Sequence, residues 1–415
     1  MKTILIKPNS KLESYGDVAE LSACEPPIWM AILANFYKAD ILIDAEVENY
    51  SHFDIYERME KEHPDRVIIF SIGSHPSAHI QQEDFSKKLG EFIRHNFPSI
   101  DVKVINRLPV SPTKLGKAKW NLLPMEKYKA HNWHSWSNNS IRQPYGVNYT
   151  SISCPYSCEF CCVKDFYGEH YEARLIEDVI DDFKDLHAIK VVNIKLMDEL
   201  FILNKKRVNL ITDQLKDFKF NIWAYGRIDT VDKELLKKLK SAGVNWLAYG
   251  IESGNDEIRK ASMKGNLVRT EIKDIVQMTK DAGINVVGNY MFGFWEDNYV
   301  TMQETLDLAL ELNCEYSNFY CTVAYPGSKL YLEMLKNGVD LPSESIEYAQ
   351  MSSKFKPLQT KHLTSKQVLK FRDDAFNQFH SSVSYLSNIQ QKFGLKALSD
   401  ISKMLNKTIK RDILQ

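Results

Sequence analysis

The stretch that decides the fold is VNYTSISCPYSCEFCCV, residues 147–163. Its opening part, 147–153, favours a β-strand that runs directly into a group of cysteines. Cys154, Cys158 and Cys161 follow that strand with the spacing C-x3-C-x2-C. In folds built from parallel β/α units, functional groups collect at the carboxyl ends of the strands. The stretch therefore predicts a functional site that begins with these three thiols.

Downstream of the cysteines, apolar strand-like segments alternate with helical periodicity up to about residue 330. The pattern predicts strands at 147–153, 190–197, 219–225, 244–251, 284–292 and 316–323, with helices at 173–188, 204–216, 232–241, 270–281 and 300–312. Six β/α repeats are fewer than a closed barrel of this kind contains. We therefore predict an open, partial (β/α)6 barrel over residues 145–330.

Upstream, residues 1–110 show a shorter alternation of the same kind. Strands are expected at 3–7, 40–46, 67–72 and 102–106, with helices at 26–39 and 85–96. The apolar run VIIFSI at 67–72 suits a central parallel strand that is buried on both faces. This pattern predicts an N-terminal doubly wound α/β domain of the Rossmann or flavodoxin-like kind.

Two further segments complete the organisation. Residues 111–144 are rich in proline and contain Trp120, Trp133 and Trp136. We predict an ordered connector in which these tryptophans are buried. Residues 331–415 are helical and charged, which predicts a small, mostly α C-terminal domain. The predicted fold class is thus α/β, with a partial barrel between a doubly wound domain and a helical tail.

Composition limits the class of function. The 415 residues contain 53 Lys+Arg and 54 Asp+Glu, a formal net charge of −1 that argues against a general nucleic-acid binder. No apolar run is long enough to span a bilayer, and the N-terminal run ends at Lys7 and Pro8 without the form of a secretory signal. We expect a cytoplasmic protein. Four of its seven cysteines fall within 154–162, which indicates a metal or catalytic site rather than a disulfide framework.

Three thiolates suit an iron–sulfur cluster. A cubane held by only three protein ligands keeps one iron open, and an open metal position is what ligand binding and catalysis require. The alternative is a structural zinc site, which normally needs four ligands in paired units, and the sequence contains no second pair. Cys162 directly follows Cys161 and is expected to point away as a non-ligand.

The motif, with Phe160 before its third cysteine, closely resembles that of the radical SAM superfamily. The resemblance implies a [4Fe–4S] cluster on Cys154, Cys158 and Cys161 and a binding site for S-adenosylmethionine (SAM). Further segments resemble the family at successive strand ends. Those expected beside SAM are Phe160, Asp198, Glu199, Arg227 and Glu252. Asp198-Glu199 replaces the Gly-Gly-Glu that the family often has, and Glu252 lies in the family-like segment GIESG.

The N-terminal region resembles the radical SAM subgroup that has a cobalamin-binding domain. The resemblance lies in EPPIWMAILA at 25–34, LPMEKY at 123–128, the approach to Cys154, and KFRDDAF at 370–376. The Asp-x-His-x-x-Gly motif of other B12 proteins is absent, as are the subgroup's glycine-rich segments. Ser71, Gly73 and Ser74, after the third strand, are the residues expected to face a corrin or another ligand. The alternative is a substrate-binding or purely structural domain.

These observations lead to one hypothesis with two rivals. We expect an enzyme that reductively cleaves SAM at a [4Fe–4S] cluster and, if cobalamin binds, methylates carbon in a small molecule. Its partners would be that small-molecule substrate and an electron donor such as flavodoxin or ferredoxin, with no nucleic acid. One rival is a cobalamin-independent radical SAM cyclase or oxidoreductase. The other is a non-catalytic iron–sulfur or zinc protein.

Overall fold

The computed structural model describes residues 1–262, 264–265 and 267–415, and at Leu12 only the backbone. Its N-terminal part consists of β1 (Thr3–Lys7), α1 (Lys11–Tyr15), α2 (Ile28–Phe36), β2 (Ile41–Asp44), α3 (Ala45–Glu48), α4 (His52–Glu62), β3 (Arg66–Phe70), α5 (Pro76–Asn96) and β4 (Asp101–Ile105). The four strands form a parallel sheet in the order β2-β1-β3-β4. The order reverses between β1 and β3, the position where doubly wound sheets bind ligands.

Both faces of this sheet are covered. Ile4 and Ile6 belong to a core with α4 and α5, while Leu5, between them, points into a second core that continues into the rest of the molecule. The helix α2 lies on that second side and buries seven of its nine residues, since it is packed between the sheet and the following domain. Because successive side chains of β1 point to opposite faces, Leu5 packs the N-terminal sheet against the following domain through apolar contact.

A connector containing α6 (Asn132–Ser135) leads to the second sheet. The elements that follow are β5 (Tyr145–Asn148), β6 (Ser151–Ile152), α7 (Val163–Tyr167), β7 (Glu172–Ala173), α8 (Ile176–Ala188), β8 (Asn193–Leu196), α9 (Lys205–Leu215), β9 (Asn221–Gly226), α10 (Lys233–Ser241), β10 (Val244–Glu252), α11 (Asp256–Ala261), α12 (Arg269–Asp281), β11 (Asn285–Phe292), α13 (Tyr299–Leu312) and β12 (Tyr316–Cys321). Six strands pair in parallel in the order β12-β11-β10-β9-β8-β5. The tail adds α14 (Lys329–Lys336), α15 (Ser365–His380) and α16 (Val383–Leu405).

The predicted fold class is confirmed: two parallel sheets with helices, the second of them open, are followed by a helical tail. The first barrel strand differs from its prediction. Instead of 147–153 it covers Tyr145–Asn148, and Ser151–Ile152 pair with β7 in a separate antiparallel ribbon. The ladder ends there because the Thr150 backbone N–H donates to the Asp198 carboxylate, 2.8 Å away, instead of to β8. The short helices α1, α3 and α4 were not predicted.

The connector closes the amino-terminal end of the barrel. Trp133 lies against Trp223, Trp246 and Tyr316, with ring centroids 4.7, 5.1 and 5.2 Å away, and these partners stand early in their strands. Trp120, Trp133 and Trp136 are all buried, as the sequence predicts. Since this end is filled with aromatic rings, ligand access is directed to the opposite end, where the cysteines lie. Within the described chain, no helix combines the length and apolarity needed to cross a bilayer.

Buried histidines make the fold sensitive to acid. Burial lowers the pKa of both His134 and His380 to about 3, and each ring donates one N–H to a backbone carbonyl oxygen 3.0 Å away. The unfolded chain, with ordinary histidine pKa values near 6.5, takes up protons first as pH falls. The sign is therefore a loss of stability below pH 6.5. Between pH 7.5 and 5 we expect about 2 kcal/mol lost per buried histidine, measured by denaturant unfolding.

The matched control for this prediction is an exposed histidine. His134→Gln should flatten the dependence of unfolding free energy on pH, whereas His95→Gln, on the exposed face of α5, should leave it unchanged. Equal pH slopes for the native protein and His134→Gln would contradict the assignment of acid sensitivity to this side chain.

Candidate active site

The three cysteines of the motif lie on one loop between β6 and α7. Cys154 and Cys158 are half-buried and Cys161 is exposed, while Cys162 is 5% exposed and stands directly before the first residue of α7. The loop is tightly turned, because the Cys161 N–H donates to the Cys158 carbonyl at 3.2 Å. Three thiols therefore remain accessible and the fourth is directed into the core.

The spacing of the thiols bears on the kind of metal. In the described residues, no three His, Cys, Asp or Glu side chains converge closely enough to hold a single ion. Structural zinc normally has four protein ligands, whereas a cubane held by three thiolates keeps one iron open. The loop offers three accessible thiols and directs the fourth into the core, which fits the cubane better than a four-ligand zinc site.

One fixed positive charge adjoins the loop. The Arg227 guanidinium places Nη1 3.7 Å from Cys158 Sγ and lies over the Tyr156 ring, 4.0 Å from its centroid. It is also held by Asp229 at 2.8 Å and donates to the Lys264 carbonyl. A thiol binds metal as the thiolate, so these cysteines need a cation to ionise at neutral pH. A cluster of iron would supply that cation, and Arg227 would face the resulting anionic assembly.

Glu252 is paired with a residue that the sequence did not single out. Its carboxylate, 6% exposed, accepts from Lys264 Nζ at 2.8 Å. Glu252 has φ +65°, and the register with β11 shifts between Gly250 and Glu252. A Cβ on Gly250 would lie 2.2 Å from Glu252 Oε1 and 2.6 Å from Lys264 Nζ. The glycine thus leaves room for the ion pair, whose lysine comes from an aperiodic loop that gives no sequence signal.

Asp198 and Glu199 have different surroundings. Asp198 is fully buried and accepts from Thr150 N, Thr150 Oγ1 and Ser151 Oγ at 2.5 to 2.8 Å. Its carboxylate is therefore occupied in fixing the approach to the cysteines. Burial raises the pKa of Glu199 to about 8, and Glu199 Oε2 lacks a partner within the described residues. Of the two carboxylates, Glu199 is the one free to meet a ligand.

Phe160 connects the cysteine loop to the tail. Its ring meets Phe294 edge to face, with centroids 5.7 Å apart. It also packs against a small apolar core that includes Leu330 and Met334 of α14. The adjacent backbone is fixed as well, since the Leu330 N–H donates to the Glu159 carbonyl at 2.9 Å. Phe160 thus contributes to the placement of the third cysteine.

The N-terminal candidates lie at the carboxyl end of β3. Ser71 is 1% exposed and its hydroxyl has no partner among the described residues. A Cβ on Gly73 would lie 2.3 Å from the His79 backbone nitrogen, so this glycine permits close packing against α5. The Ser74 carbonyl accepts from Tyr149 Oη at 2.9 Å, and the same hydroxyl stands 3.4 Å from Glu199. The structure thereby brings Ser74 and Glu199 to one tyrosine.

A buried ion pair lies between the two sheets. Lys195, on β8, donates to Glu25, which precedes α2, at 2.8 Å. The Lys195 ammonium also stands 4.4 Å from the Trp223 ring centroid and 5.5 Å from that of Tyr225. Lys195 was not singled out in the sequence, because an isolated charge within a strand gives no sign of a buried partner, and Glu25 entered only as the first residue of the segment EPPIWMAILA.

The surroundings of this pair indicate an internal space. Tyr15 is 38% exposed, yet burial raises its pKa to about 12. His75 is exposed, yet burial lowers its pKa to about 4. Tyr15 and His75 thus have solvent-accessible surface although protein atoms surround them, as side chains that line a concave interior do. We call this space the central chamber, and we define it by Tyr15, Glu25, His75, His131, Lys195 and Tyr225.

A separate cavity of about 450 Å³ lies beside the connector and α16. Its lining residues are Glu20, Leu21, Asn132, Ser140, Arg142, Lys396, Asp400 and Lys403. None of them belongs to the cysteine loop or the central chamber. This cavity is at the end of the barrel that the connector fills, so we do not assign it to the active site.

Comparison with protein families agrees with the placement of the site. Residues 148–309 match the model of the Radical SAM superfamily. That span starts at the end of β5, contains the cysteine loop and all barrel candidates, and ends within α13.

Among curated proteins, an uncharacterized methyltransferase of Pyrococcus horikoshii is 28% identical over 291 residues, which is 69% of this chain and 59% of that protein. The bacteriochlorophyllide d C-8(2)-methyltransferase of Chlorobaculum tepidum is 27% identical over 46% of this chain and 45% of its own. The chain therefore spans about half the length of these relatives.

Two solved structures share the fold at low identity. The cobalamin-dependent S-adenosylmethionine radical enzyme OxsB has a TM-score of 0.62 at 12% identity, over 97% of this chain and 70% of that one. The radical S-adenosylmethionine methyltransferase TsrM from Kitasatospora setae has a TM-score of 0.58 at 13% identity, over 81% and 75%. The likeness extends over the N-terminal sheet, the barrel and the tail as one fold.

Proposed function

We propose, from the match of residues 148–309 to the model of the Radical SAM superfamily, that this protein is an enzyme that reductively cleaves SAM at a [4Fe–4S] cluster. The observation that carries the proposal is the cysteine loop. It presents Cys154, Cys158 and Cys161 after the first barrel strand and beside the Arg227 guanidinium, and it turns Cys162 away. Three accessible thiols beside a fixed positive charge fit an anionic cluster with one open iron.

The neighbouring residues fit the other ligand. Glu252, Lys264 and Glu199 would face SAM, because they present a carboxylate, an ammonium and a carboxyl group of raised pKa around the cysteines. Asp198 would act as a positioning residue through Thr150 and Ser151. The chemistry that the bound groups would supply is one-electron cleavage of SAM at carbon–sulfur, followed by radical or methyl transfer. The chain would contribute binding, orientation and exclusion of water.

The test is anaerobic reconstitution of the whole protein with iron and sulfide. We expect about four irons per chain and, after reduction, 5′-deoxyadenosine from SAM. Bound zinc in place of iron, or an iron cluster that leaves SAM intact, would overturn the proposal in favour of a non-catalytic metal protein.

We further propose that the protein binds cobalamin between its two sheets and methylates carbon in a small molecule. The support is the unpartnered, buried hydroxyl of Ser71 at the ligand edge of the N-terminal sheet, close to Ser74 and the central chamber. The similar proteins TsrM and OxsB are cobalamin-bound in their structures. Lys7, Asp44 and Tyr128 form a closed polar network at the ends of β1 and β2. This network limits the part of the sheet edge that a ligand could reach.

Corrin retention separates this version from its rival. After incubation with hydroxocobalamin and desalting, we expect retained corrin absorbance in the native protein and less in Ser71→Trp, whose larger side chain would fill the edge of β3. If the native protein cleaves SAM but retains no corrin, the cobalamin-independent cyclase or oxidoreductase is the better description.

The remaining proposals concern the electron donor and the cellular location. A SAM-cleaving cluster needs an external electron, so we propose an electron donor such as flavodoxin or ferredoxin as a partner. We also propose the cytoplasm as its location, because exposed cluster thiols persist where disulfides do not form. Reduction of the reconstituted cluster by flavodoxin, followed spectroscopically, tests the first of these.

Gly250 offers a precise perturbation of the site. In Gly250→Ala the new Cβ would displace the ends of Glu252 and Lys264 rather than the backbone. We expect SAM cleavage to fall at least tenfold while the melting temperature changes by a few degrees at most. Gly90→Ala is the matched control, since its Cβ would meet only side-chain atoms at 3.2 Å or more. Equal loss of SAM cleavage in both variants would contradict this role for Gly250.

A further inference from the structure

The Glu25–Lys195 pair is not needed to hold the two domains together. A continuous apolar core already joins them, and it includes Trp29 and Tyr149, whose rings stack 4.8 Å apart. A buried ion pair is generally no more stabilising than apolar residues of the same size. Side-chain exposure is 5% for Lys195 and 16% for Glu25, so both charges have left bulk water. A buried ion pair that borders a concave interior calls for a functional explanation.

The chamber carries one charge of each sign. The Lys195 side chain is an ammonium. Burial acts to lower its pKa, but the adjacent Glu25 carboxylate keeps that pKa high. Burial lowers the pKa of His75 and His131 to about 4, so both rings are neutral near pH 7. The fixed charges of the chamber are therefore one ammonium and one carboxylate.

Further groups around the pair are polar or aromatic. Tyr145 is fully buried, and its hydroxyl has no partner in the part of the chain that the structure describes. It stands on β5, two residues before Val147, which pairs in register with Lys195 on β8. The Trp223 and Tyr225 rings flank the ammonium, and Tyr15 adds a third aromatic ring. An unsatisfied hydroxyl and flat aromatic walls suit a ligand with both polar and aromatic parts.

We propose that the Glu25–Lys195 pair anchors the zwitterionic head group of a substrate, the ammonium and carboxylate of an α-amino acid that bears an aromatic side chain. The ligand's carboxylate would replace Glu25 at Lys195, and its ammonium would meet the released Glu25. A ligand of single charge would satisfy one member of the pair and leave the other unpaired in the chamber, which is unfavourable. A zwitterion satisfies both.

The position of the chamber suits such a substrate. Tyr225 stands near the end of β9, two residues before Arg227, whose guanidinium lies 3.7 Å from Cys158 Sγ, so the chamber adjoins the cysteine loop. A side chain that extends from the anchored head group would be directed along the barrel interior toward the proposed site of radical formation. The inference rests on the proposed function for its chemistry, but the binding that it predicts can be measured separately.

The experiment compares three matched probes on the anaerobically reconstituted protein. L-Phenylalanine carries both charges, phenethylamine only the ammonium, and 3-phenylpropionate only the carboxylate. By calorimetry or saturation-transfer NMR we expect L-phenylalanine to bind at least tenfold more tightly than either singly charged probe. Equal binding of the three probes, or no binding of L-phenylalanine, would overturn the inference.

Variants of the pair give a directional readout. Lys195→Met should abolish the preference for L-phenylalanine and favour phenethylamine, whereas Glu25→Gln should favour 3-phenylpropionate. A purely structural ion pair would weaken all three probes equally. Asp185→Asn, which removes an exposed partner of Lys117, is the matched control and should leave the probe order unchanged. Circular dichroism establishes that each variant is folded, and the milder Tyr225→Phe supplies a second test at the same wall.

Failure of the inference is distinguishable from failure of the proposed function. The same preparations are assayed for iron and for 5′-deoxyadenosine. SAM cleavage without zwitterion preference defeats the inference alone, while zwitterion preference in a protein that binds iron but leaves SAM intact defeats the proposed function alone.

Discussion

Replacing Cys158 by alanine is expected to reduce iron binding to background and to lower SAM cleavage at least a thousandfold. Cys158 is the central thiol of the loop and the one that Arg227 approaches at 3.7 Å. A cubane held by three thiolates cannot lose one without exposing a second iron, so the site should fail to assemble rather than weaken. Iron content after anaerobic reconstitution and 5′-deoxyadenosine formation measure the two losses.

The neighbouring cysteine is the control. Cys162 is 5% exposed and adjoins Cys161, so Cys162→Ala changes the same loop without removing an accessible thiol. It should retain iron and SAM cleavage, with a modest loss of stability from the buried sulfur. If Cys162→Ala loses iron as fully as Cys158→Ala, the ligand set that we propose is wrong.

Replacing Asp182 by alanine is expected to destabilise the protein by about 3–5 kcal/mol, the usual cost of leaving a buried charge without its partner. Asp182 and Arg174 are both fully buried at the side chain and are 2.7 Å apart. Arg174 also donates to the carbonyls of Tyr149 and Gly116, and Asp182 accepts from the Ala118 N–H at 2.8 Å. The pair thus fastens the connector to the end of the first barrel strand. Denaturant unfolding measures the loss.

Two comparisons isolate the ion pair. The double variant Arg174→Met/Asp182→Leu should recover part of the stability, because it leaves no unpaired charge in the core. Asp185→Asn removes an exposed ion pair on the same helix and should cost no more than about 1 kcal/mol. If Asp182→Ala is as stable as Asp185→Asn, the buried network contributes no more to the free energy of unfolding than an exposed ion pair does.

Much of the framework was predictable because it depends on local pattern. Apolar periodicity placed the barrel strand β10 within one residue of its observed bounds, and the helix α8 within three. The spacing of Cys154, Cys158 and Cys161 predicted their shared loop, since residues a few positions apart after a strand have little freedom to separate. The expected burial of Trp133 followed from its size and apolarity.

Other features depended on contacts between distant segments. Lys264 reaches Glu252 from a loop without periodicity, and Glu25 meets Lys195 across 170 positions of chain. The different surroundings of Asp198 and Glu199 also arise in this way, because Thr150 and Ser151 donate to the Asp198 carboxylate, whereas Glu199 Oε2 has no partner among the described residues.

The sequence by itself determined the two parallel sheets and the three thiols at a strand end, since periodicity and short spacing are local properties of the chain. Only the tertiary structure decided which charges face one another inside the molecule. A charged side chain can be buried only where a partner from elsewhere in the chain arrives to meet it, and the local pattern does not contain that partner.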